Sequence, residues 1–402
     1  MKATFAIALV AASVAARSPL GKLENNPQFI QFVSSHNKSY RTHRELTQRA
    51  QVFANNVAQI KQLNQVSEAS GKSNAARYDV NEFSDMSSAE FGEMLGWKEE
   101  NRLNRTQLYN NRPKGRLGVA PATTVDWASN GAMLGVKNQG GCGSCWAFAA
   151  NSALEGTIAA KTSKAPVRLS EQHLVDCTLR DNARNMELFG EDFGLWGCGG
   201  GWMATAWYFQ SKHGAMLDSD YPYTSGRGGR ETPCAHNPNK IVGKVSSWGR
   251  VYARDGLDKV KEKLKEQPMT IAVDAGSGHF QHYRSGVVGA NDGCPTGLNH
   301  AVVLVGYSEK HSDNDDSDDD DTPEPEPQPD PVSGCTVYKW WHSCEGDEGR
   351  RMLQRDRNGY DNYWKIQNSW GTGWGDQGFI LFEIAEGAGV CGMNSYIEFA
   401  DM

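Results

Sequence analysis

The chain has 402 residues, of which 39% are hydrophobic and 22% are charged. This length and composition allow a buried core and two or three structural units, which excludes disorder over the whole chain. The formal net charge is −7, but the segment from Glu309 to Asp330 holds eleven acidic residues and one lysine and carries −10 by itself. The rest of the chain therefore sums to +3 and has no dense Lys/Arg cluster, which argues against nucleic-acid binding.

The first residues are typical of a secretory signal peptide. Lys2 precedes an apolar run from Phe5 to Ala16, and that run is shorter than the ~20 residues needed to span a bilayer. A buried strand or helix is the alternative interpretation. We expect cleavage near Ala16, entry into the secretory pathway and no membrane span. The glycosylation sequons at Asn37 and Asn104 are compatible with that route.

A predicted helix between residues 45 and 64 has an unusual mixed face. Six residues spaced three or four apart fall within about 100° of one another on the helix. They are Glu45, Arg49, Phe53, Asn56, Ile60 and Asn64. This face predicts a surface that docks through directed polar contacts, and a plain solvated helix is the alternative.

A change in composition near residue 120 predicts a boundary between two units. Residues 100–116 are polar and interrupted by Pro and Gly, which is typical of an exposed linker. From Thr124 onward the chain is more apolar and contains cysteines. Ser144 to Ala160 predicts a buried helix that the Ser144 side chain can cap. Buried strands are predicted at three places, residues 301–305, 363–366 and 378–382.

An excursion of 53 residues, 309–361, separates the first two of these strands and predicts an insertion. Its first half should be solvated and extended, because charge repulsion and the proline tract from Pro323 to Pro331 both oppose packing. Part of it has the spacing of a calcium-binding loop: Asp313, Asp315, Ser317 and Glu324. Asp318 stands where such a loop requires glycine, so a solvated acidic loop without metal is favoured.

The stretch from Lys137 to Phe148 carries the candidate chemistry. Cys145 lies at the start of the predicted helix, where free N–H groups and partial positive charge favour a thiolate. That position alone does not indicate catalysis, because buried cysteines are usually inert. The run from Cys142 to Trp146, however, is Cys-Gly-Ser-Cys-Trp, the local fingerprint of papain and the cathepsins. His300 and Asn368 follow in the order that this fingerprint requires.

On these residues the chain resembles the papain family of cysteine proteases, over nearly its whole length except residues 309–361. The mixed helical face resembles the ERFNIN motif of cathepsin L-like propeptides. The run from Asn81 to Asp85 resembles the second propeptide motif, although Asp79 stands where the family usually has glycine.

The resemblance implies an α+β, papain-like two-lobed fold. It has a helical left lobe and an antiparallel, barrel-like right lobe, and a helical propeptide precedes it. The domains would be a signal peptide at 1–16, an inhibitory propeptide at 17–118 and a peptidase domain at 119–402 with the insertion at 309–361. The mature enzyme should begin near residues 117–122.

The resemblance also implies a role for each site residue. Cys145 would be the nucleophile, His300 its proton partner in a thiolate–imidazolium pair, and Asn368 the group that orients the imidazole. Gln139 would donate to the oxyanion beside the Cys145 N–H, and Trp370 would shield the His–Asn contact from water. Such groups are needed because an amide carbonyl is a poor electrophile.

The same resemblance implies a substrate groove. Gly201 would pair its backbone with an extended peptide, and Asn299 and Trp370 would also contact substrate. Five side chains would line the pocket for the residue preceding the cleaved one: Trp202, Met203, Ala272, Leu298 and Tyr396. We expect a bulky hydrophobic or aromatic residue there, while Tyr396 at the base leaves the depth of the pocket open.

Eight cysteines remain when Cys145 is set aside, and eight allow roughly a hundred pairings. The resemblance implies three pairs, Cys142–Cys198, Cys177–Cys234 and Cys294–Cys391. Cys335 and Cys344 would then pair inside the insertion, since two ligands are too few for a metal site.

A rival interpretation is a disulfide oxidoreductase, because Cys142 and Cys145 form a C-x-x-C motif. The assigned partner of Cys142 and the absence of a βαβ pattern in the sequence around the motif argue against it. The protease interpretation predicts protein or peptide substrates, the chain's own propeptide as an intramolecular inhibitor and a monomer. It predicts no cofactor, and a lysosomal, vacuolar or extracellular location.

Overall fold

The computed structural model describes residues 24–98, 124–309 and 362–402, and the backbone of short strands within 328–344. Several predicted features lie outside the described residues. They are the signal peptide, the linker at 100–116, the mature start, the sequon at Asn104 and the calcium-loop spacing at 313–324.

The amino-terminal part of the chain is mainly helical. Its elements are α1 (Pro27–Ser35), α2 (His43–Ala69), β1 (Arg77–Tyr78) and α3 (Ser88–Gly92). Thr42 caps α2 by accepting from the N–H of Glu45, and Ser87 and Glu90 form a capping box at α3. Phenylalanines of α1 and α2 form a small core of their own.

The mixed face of α2 holds the segment that follows it. Arg49 pairs with Glu90 at 2.7 Å, and Asn56 Nδ2 donates to the carbonyls of Ser84 and Met86, each at 2.9 Å. Asn64 Nδ2 donates to the Tyr78 carbonyl at 2.8 Å, and Phe53 and Ile60 are buried between these polar contacts. The predicted docking face is confirmed, and its partner is the chain's own segment from residue 78 to 90.

The second part of the chain combines helices with one large sheet. Its helices are α4 (Cys145–Thr162), α5 (Glu171–Cys177), α6 (Ala183–Phe189), α7 (Met203–His213), α8 (Leu257–Glu266) and α9 (Gly278–Gln281). Short 3-10 turns occur at Gly197–Gly199, Ser225–Arg227, Pro238–Lys240, Ala253–Asp255 and Val390–Ser395.

The strands follow the α+β pattern that the sequence predicts. They are β2 (Thr124–Asp126), β3 (Ala215–Met216), β4 (Ile241–Gly243), β5 (Ser247–Val251), β6 (Met269–Val273), β7 (Tyr283–Ser285), β8 (Val287–Val288), β9 (His300–Ser308), β10 (Gln328–Pro329), β11 (Cys335–Tyr338), β12 (Trp341–Cys344), β13 (Tyr363–Gln367), β14 (Phe379–Glu383) and β15 (Ile397–Asp401). In the described residues the large sheet has the order β5-β15-β6-β9-β13-β14-β8, and β2 also pairs with β9.

Two buried clusters lie on either side of the candidate site. One surrounds α4 and α7 and contains Trp146 and Trp207; the other lies over the sheet and contains Ile271, Leu304 and Trp364. The amino-terminal part docks on the second cluster through the antiparallel β1–β7 pair. Hydrogen bonds around Gln281 extend this contact: Asn81 Nδ2 donates to the Gln281 carbonyl, and Gln281 Nε2 donates to the carbonyls of Phe83 and Met86.

The helix α4 is buried as predicted, but the predicted side-chain cap is wrong. Ser144 has φ −95° and ψ 17°, outside the extended region that aims a capping oxygen at the first turn. Its hydroxyl instead lies 2.8 Å from the Tyr223 hydroxyl. The first turn of α4 therefore begins without a side-chain cap.

The register of β9 and β13 determines where the insertion leaves the fold. These strands are antiparallel, and Gln367 pairs with Val303 while Tyr363 pairs with Ser308. His300 and the residue after Gln367 thus lie at one end of the hairpin, and the excursion leaves at the other. At ~3.4 Å per residue the two ends of β9 are about 27 Å apart.

Within the insertion, the backbone of β11 pairs antiparallel with that of β12. Cys335 and Cys344 occupy directly opposite positions in this register. Opposite residues have Cα atoms about 4.5–5.5 Å apart, a spacing that a disulfide can bridge. The side chains of these strands lie outside the description, so the fourth disulfide stays a prediction.

We predict that the fold does not need the insertion. Replacing residues 310–361 by Asn-Gly would leave a short turn between Glu309 and Asn362, beside the paired ends of β9 and β13. The thermal unfolding midpoint should stay within about 4 °C of that of the full chain. The matched control replaces the same residues by a Gly/Ser linker of equal length, and loss of cooperative unfolding in the short variant alone would contradict the prediction.

Candidate active site

A buried ion cluster holds the loop that leads to Cys145. Lys137 Nζ lies 2.7 Å from Glu155 on α4 and 2.6 Å from Glu171 on α5. Burial opposes the charge of the ammonium, but the two carboxylates raise the pKa of Lys137 above its ordinary value. Burial raises the pKa of Glu155 to about 7, with Lys137 acting in the opposite direction. The loop is thereby fixed against both helices.

The described residues contain three disulfides, one of which lies beside the start of α4. The structure contains Cys142–Cys198, Cys177–Cys234 and Cys294–Cys391, the pairs that the resemblance implies. Cys145 is the free cysteine among the described residues and is fully buried. Because Cys142 is bonded to Cys198, the C-x-x-C motif does not form a redox pair in this structure.

His300 and Asn368 meet at the end of the hairpin. His300 Nε2 lies 2.8 Å from Asn368 Oδ1, and the N–H of Ser369 donates to that same oxygen at 2.8 Å. Because Oδ1 accepts from the Ser369 N–H, we assign the imidazole proton to Nε2. Within the described residues His300 Nδ1 has no hydrogen-bond partner, so its lone pair can accept a proton.

Trp370 covers this contact. Its ring stacks on the His300 imidazole with centroids 4.7 Å apart. Phe83 and Phe91 from the amino-terminal part pack edge-on against Trp370 at 5.6 and 5.1 Å. The tryptophan is 1% exposed, so water has little access to it in this arrangement.

The Gln139 side chain is fixed in one orientation. Its Oε1 accepts from the Ser369 hydroxyl at 2.7 Å. Its Nε2 donates to the carbonyls of Cys142 and Met94, each at 2.9 Å. A peptide carbonyl from the amino-terminal part therefore already occupies the amide donor of Gln139.

Residues 94–98, which we call the covering segment, lie along the groove. Gly201 N–H donates to the Gly96 carbonyl at 2.7 Å, and the Lys98 N–H donates to the Gly201 carbonyl at 3.1 Å. The Trp97 N–H donates to the Asn299 carbonyl at 3.0 Å, and the bridge between Trp97 and Gly201 is parallel. Asn299 thus contributes its backbone to this contact.

Gly96 passes so close to the start of α4 that only glycine fits. A Cβ atom on Gly96 would lie 1.6 Å from the carbonyl oxygen of Gly143. The sequence gives no direct signal of this contact, because the two glycines are far apart in the chain and neither belongs to a repeating pattern.

Trp97 packs among the side chains that are predicted to line the pocket. It is 8% exposed and belongs to the same buried cluster as Trp202, Met203, Ala272 and Tyr396, with Leu298 packed against that cluster. Its ring meets that of Tyr396 edge-on, with centroids 5.2 Å apart. The structure therefore brings the predicted pocket residues together. Sequence reasoning missed Arg250, whose guanidinium carbon lies 3.6 Å from the centroid of the Tyr396 ring.

The covered site holds both reactive groups in their neutral forms. Burial raises the pKa of Cys145 to about 11, although the backbone N–H groups of Ala301 and Gly96 act in the opposite direction. Burial lowers the pKa of His300 to about 4, although its bond to Asn368 favours the charged form. At neutral pH Cys145 is therefore a thiol and the His300 imidazole is uncharged while the covering segment is in place.

Comparison with known proteins agrees with this geometry. Residues 121–400 match the papain family cysteine protease domain, and residues 29–91 match the cathepsin propeptide inhibitor domain. The fold and site are those of a cysteine protease preceded by its propeptide. The chain belongs to the papain family, as the sequence predicts.

Related proteins share this organisation over most of their length. Cysteine proteinase 1 of Dictyostelium discoideum is 30% identical over 379 residues, which cover 93% of this chain and 92% of the relative. Vignain of Vigna mungo is 30% identical over 370 residues, covering 89% and 81%.

Two solved precursors have the same fold. Digestive procathepsin L 3 from the larval midgut of Tenebrio molitor has a TM-score of 0.64 at 25% identity, covering 96% of this chain and 100% of that one. A stem bromelain precursor has a TM-score of 0.65 at 26% identity, covering 96% and 99%. The predicted α+β papain-like fold with a propeptide is confirmed.

We predict that Cys145 alkylates slowly while the covering segment is in place. With a thiol pKa of about 11, about one thiol in ten thousand is ionised at pH 7. The second-order rate with iodoacetamide, followed by intact mass, should keep rising from pH 6 to above pH 10. A plateau below pH 8 in the uncleaved precursor would contradict this, and Cys145→Ser controls for reaction at other groups.

Proposed function

We propose that this chain is the latent precursor of an endopeptidase that hydrolyses peptide bonds through Cys145, His300 and Asn368. The observation that supports this most directly is the peptide already in the groove. The Met94 carbonyl accepts from the Gln139 amide, and Gly96 lies beside the Cys145 thiol. A site that binds a peptide carbonyl next to a nucleophile has the arrangement that acyl transfer requires.

The first half of the reaction forms a thioester. Once the covering segment leaves, His300 Nδ1 takes the thiol proton, and the Cys145 sulfur attacks the substrate carbonyl carbon. The carbonyl electrons move to the oxygen, which accepts from Gln139 Nε2 and the Cys145 N–H. As the intermediate collapses, the imidazolium gives its proton to the leaving amine and the C–N bond breaks.

The second half restores the enzyme. His300 takes a proton from water, and the hydroxide formed attacks the thioester carbonyl. The C–S bond breaks, the acid product leaves and the thiolate of Cys145 is regenerated beside the imidazolium. Asn368 acts throughout by holding the imidazole in one orientation, because the Ser369 N–H keeps its Oδ1 turned towards His300.

The propeptide inhibits by occupying the groove. Its bridge at Gly201 is parallel, which is the reverse of the substrate direction that the family resemblance implies. The proposed domain boundaries are those predicted from the sequence: signal peptide 1–16, propeptide 17–118 and peptidase 119–402 with the insertion at 309–361.

The pocket selects a bulky hydrophobic or aromatic residue before the cleaved one. Trp97 supports this choice, because the propeptide places an indole among the apolar pocket side chains and edge-on to Tyr396. Aromatic pairs in this geometry add about 0.5–1.5 kcal/mol to the burial of their surface. A strong preference for Arg at this position in a peptide library would contradict the proposal.

We place the enzyme in the secretory pathway, in a lysosome, a vacuole or the extracellular space, where it acts as a monomer. The three disulfides suit an oxidising compartment. Over the described residues, no helix has the length and apolar character of a membrane span. Nor does the described part contain three or more His, Cys, Asp or Glu side chains grouped to hold a metal.

The decisive test of the catalytic assignment is Cys145→Ala. We expect hydrolysis of a fluorogenic peptide to fall by about 10⁴-fold or more, because the substitution removes the sulfur that forms the thioester. Replacing part of the linker at 100–116 by the recognition sequence of a second protease allows that protease to remove the propeptide from the wild type and from the variant in the same way. Asn368→Ala, which keeps both reacting groups, should lose about 10²- to 10³-fold. Retained hydrolysis in Cys145→Ala would overturn the assignment.

Latency of the precursor should depend on position 96 being a glycine, which has no Cβ atom. Gly96→Ala places a Cβ against the Gly143 carbonyl, so the covering segment must move away from Cys145. The uncleaved precursor should then hydrolyse a small peptide at pH 7 at least about tenfold faster than wild type. This corresponds to a change of about 1.4 kcal/mol in the free energy difference between the covered and the open site. Gly92→Ala is the matched control, because nothing lies within 4 Å of its Cβ position. Equal activity in the two variants would contradict the proposed role.

A further inference from the structure

Lys98 makes a contact that neither the pocket nor the catalytic residues require. Its N–H donates to the Gly201 carbonyl, so it occupies the next position along the groove after Trp97. Its Nζ lies 5.2 Å from the centroid of the Trp196 ring. The chain's own inhibitor segment thus presents a cation to an aromatic ring at this point.

Trp196 is held firmly enough to act as a wall of the groove. Its N–H donates to the Gly200 carbonyl at 2.9 Å, and its own carbonyl accepts from the Gly199 N–H at 2.7 Å. Arg180 also lies over the ring, at 5.6 Å, and its Nε is 3.2 Å from the Asp181 carboxylate. The neighbouring carboxylate reduces the repulsion that this arginine exerts on a second cation.

Glu231 places a carboxylate against the backbone that directly follows Trp196. Its Oε1 accepts from the Cys198 N–H at 2.6 Å, and it lies against Gly197, where a Cβ would be 2.3 Å from Oε1. Glu231 is partly exposed and, among the described residues, has no Lys or Arg within ion-pair distance. Its charge is therefore available to a cation that enters the groove.

We propose that Trp196 and Glu231 form a subsite for a cationic side chain. The preferred substrates would then carry Lys or Arg immediately before the hydrophobic residue that enters the pocket. Indole is the best aromatic partner for a cation, and the adjacent carboxylate adds a Coulomb attraction. This inference rests on the proposed protease function and specifies its substrate class.

The test compares peptides that differ only at this position. The processed enzyme is given substrates with Phe in the pocket position and Lys, norleucine or Glu before it. Norleucine matches the length of the Lys stem without the charge. We expect kcat/KM for Lys to exceed that for norleucine by about two- to fivefold, the range for a cation over an exposed ring, and Glu to be the poorest.

Variants assign the preference to the two residues. In Trp196→Leu the Lys-to-norleucine ratio should fall to the smaller value that Glu231 alone supplies, while Trp196→Phe should keep more of it because a smaller π face remains. Glu231→Gln should lower the ratio partly and reduce its sensitivity to salt. Glu262→Gln, which removes one carboxylate from α8, is the control for net charge and should leave the ratio unchanged.

The outcomes separate the subsite from the protease function. Equal hydrolysis of the Lys and norleucine peptides by the wild type, or an unchanged ratio in Trp196→Leu, would overturn the subsite alone. Failure to hydrolyse any of the peptides would overturn the proposed function and the subsite with it.

Discussion

The buried charge of Lys137 is the interaction on which the geometry of the site depends. It joins Glu155 of α4 to Glu171 of α5 below the loop that precedes Cys145. Leaving such a charge unpaired would cost several kcal/mol, so the loop cannot shift without breaking the cluster. The same loop also holds the residues that follow β13, because the Gln139 N–H donates to the Ser369 carbonyl at 2.9 Å. One cation thus helps to set the spacing between Gln139 and Asn368.

Burial has two opposite effects at this site. It excludes water from the contact between His300 and Asn368, which the proposed mechanism requires. With the covering segment in place it also disfavours both charged forms, the thiolate of Cys145 and the imidazolium of His300. In the precursor, burial thus favours the neutral forms of both groups while the covering segment lies in the groove.

The sequence predicted the parts of the molecule in which residue type and spacing carry the chemistry. Cys145, His300 and Asn368 could be predicted because few side chains can perform the proposed roles, and the α2 face because its polar contacts repeat with the helix. The Ser144 cap failed because tertiary packing gave that residue a non-extended backbone. The position of residues 94–98 could not be predicted from periodicity, because it is set by contacts with glycines far along the chain. Arg250 on the Tyr396 ring was missed for the same reason, as their pairing arises only when β5 and β15 meet.

The β9–β13 hairpin brings the histidine and asparagine together by strand pairing rather than by the chain that joins them. The length and sequence of that connection are consequently free to vary while the catalytic geometry stays constant. A long connection can be carried there because it leaves the fold at the end of β9 about 27 Å from His300. The connection between β9 and β13 is therefore a position where a new targeting or partner-binding sequence could be acquired during evolution without loss of activity at any intermediate stage.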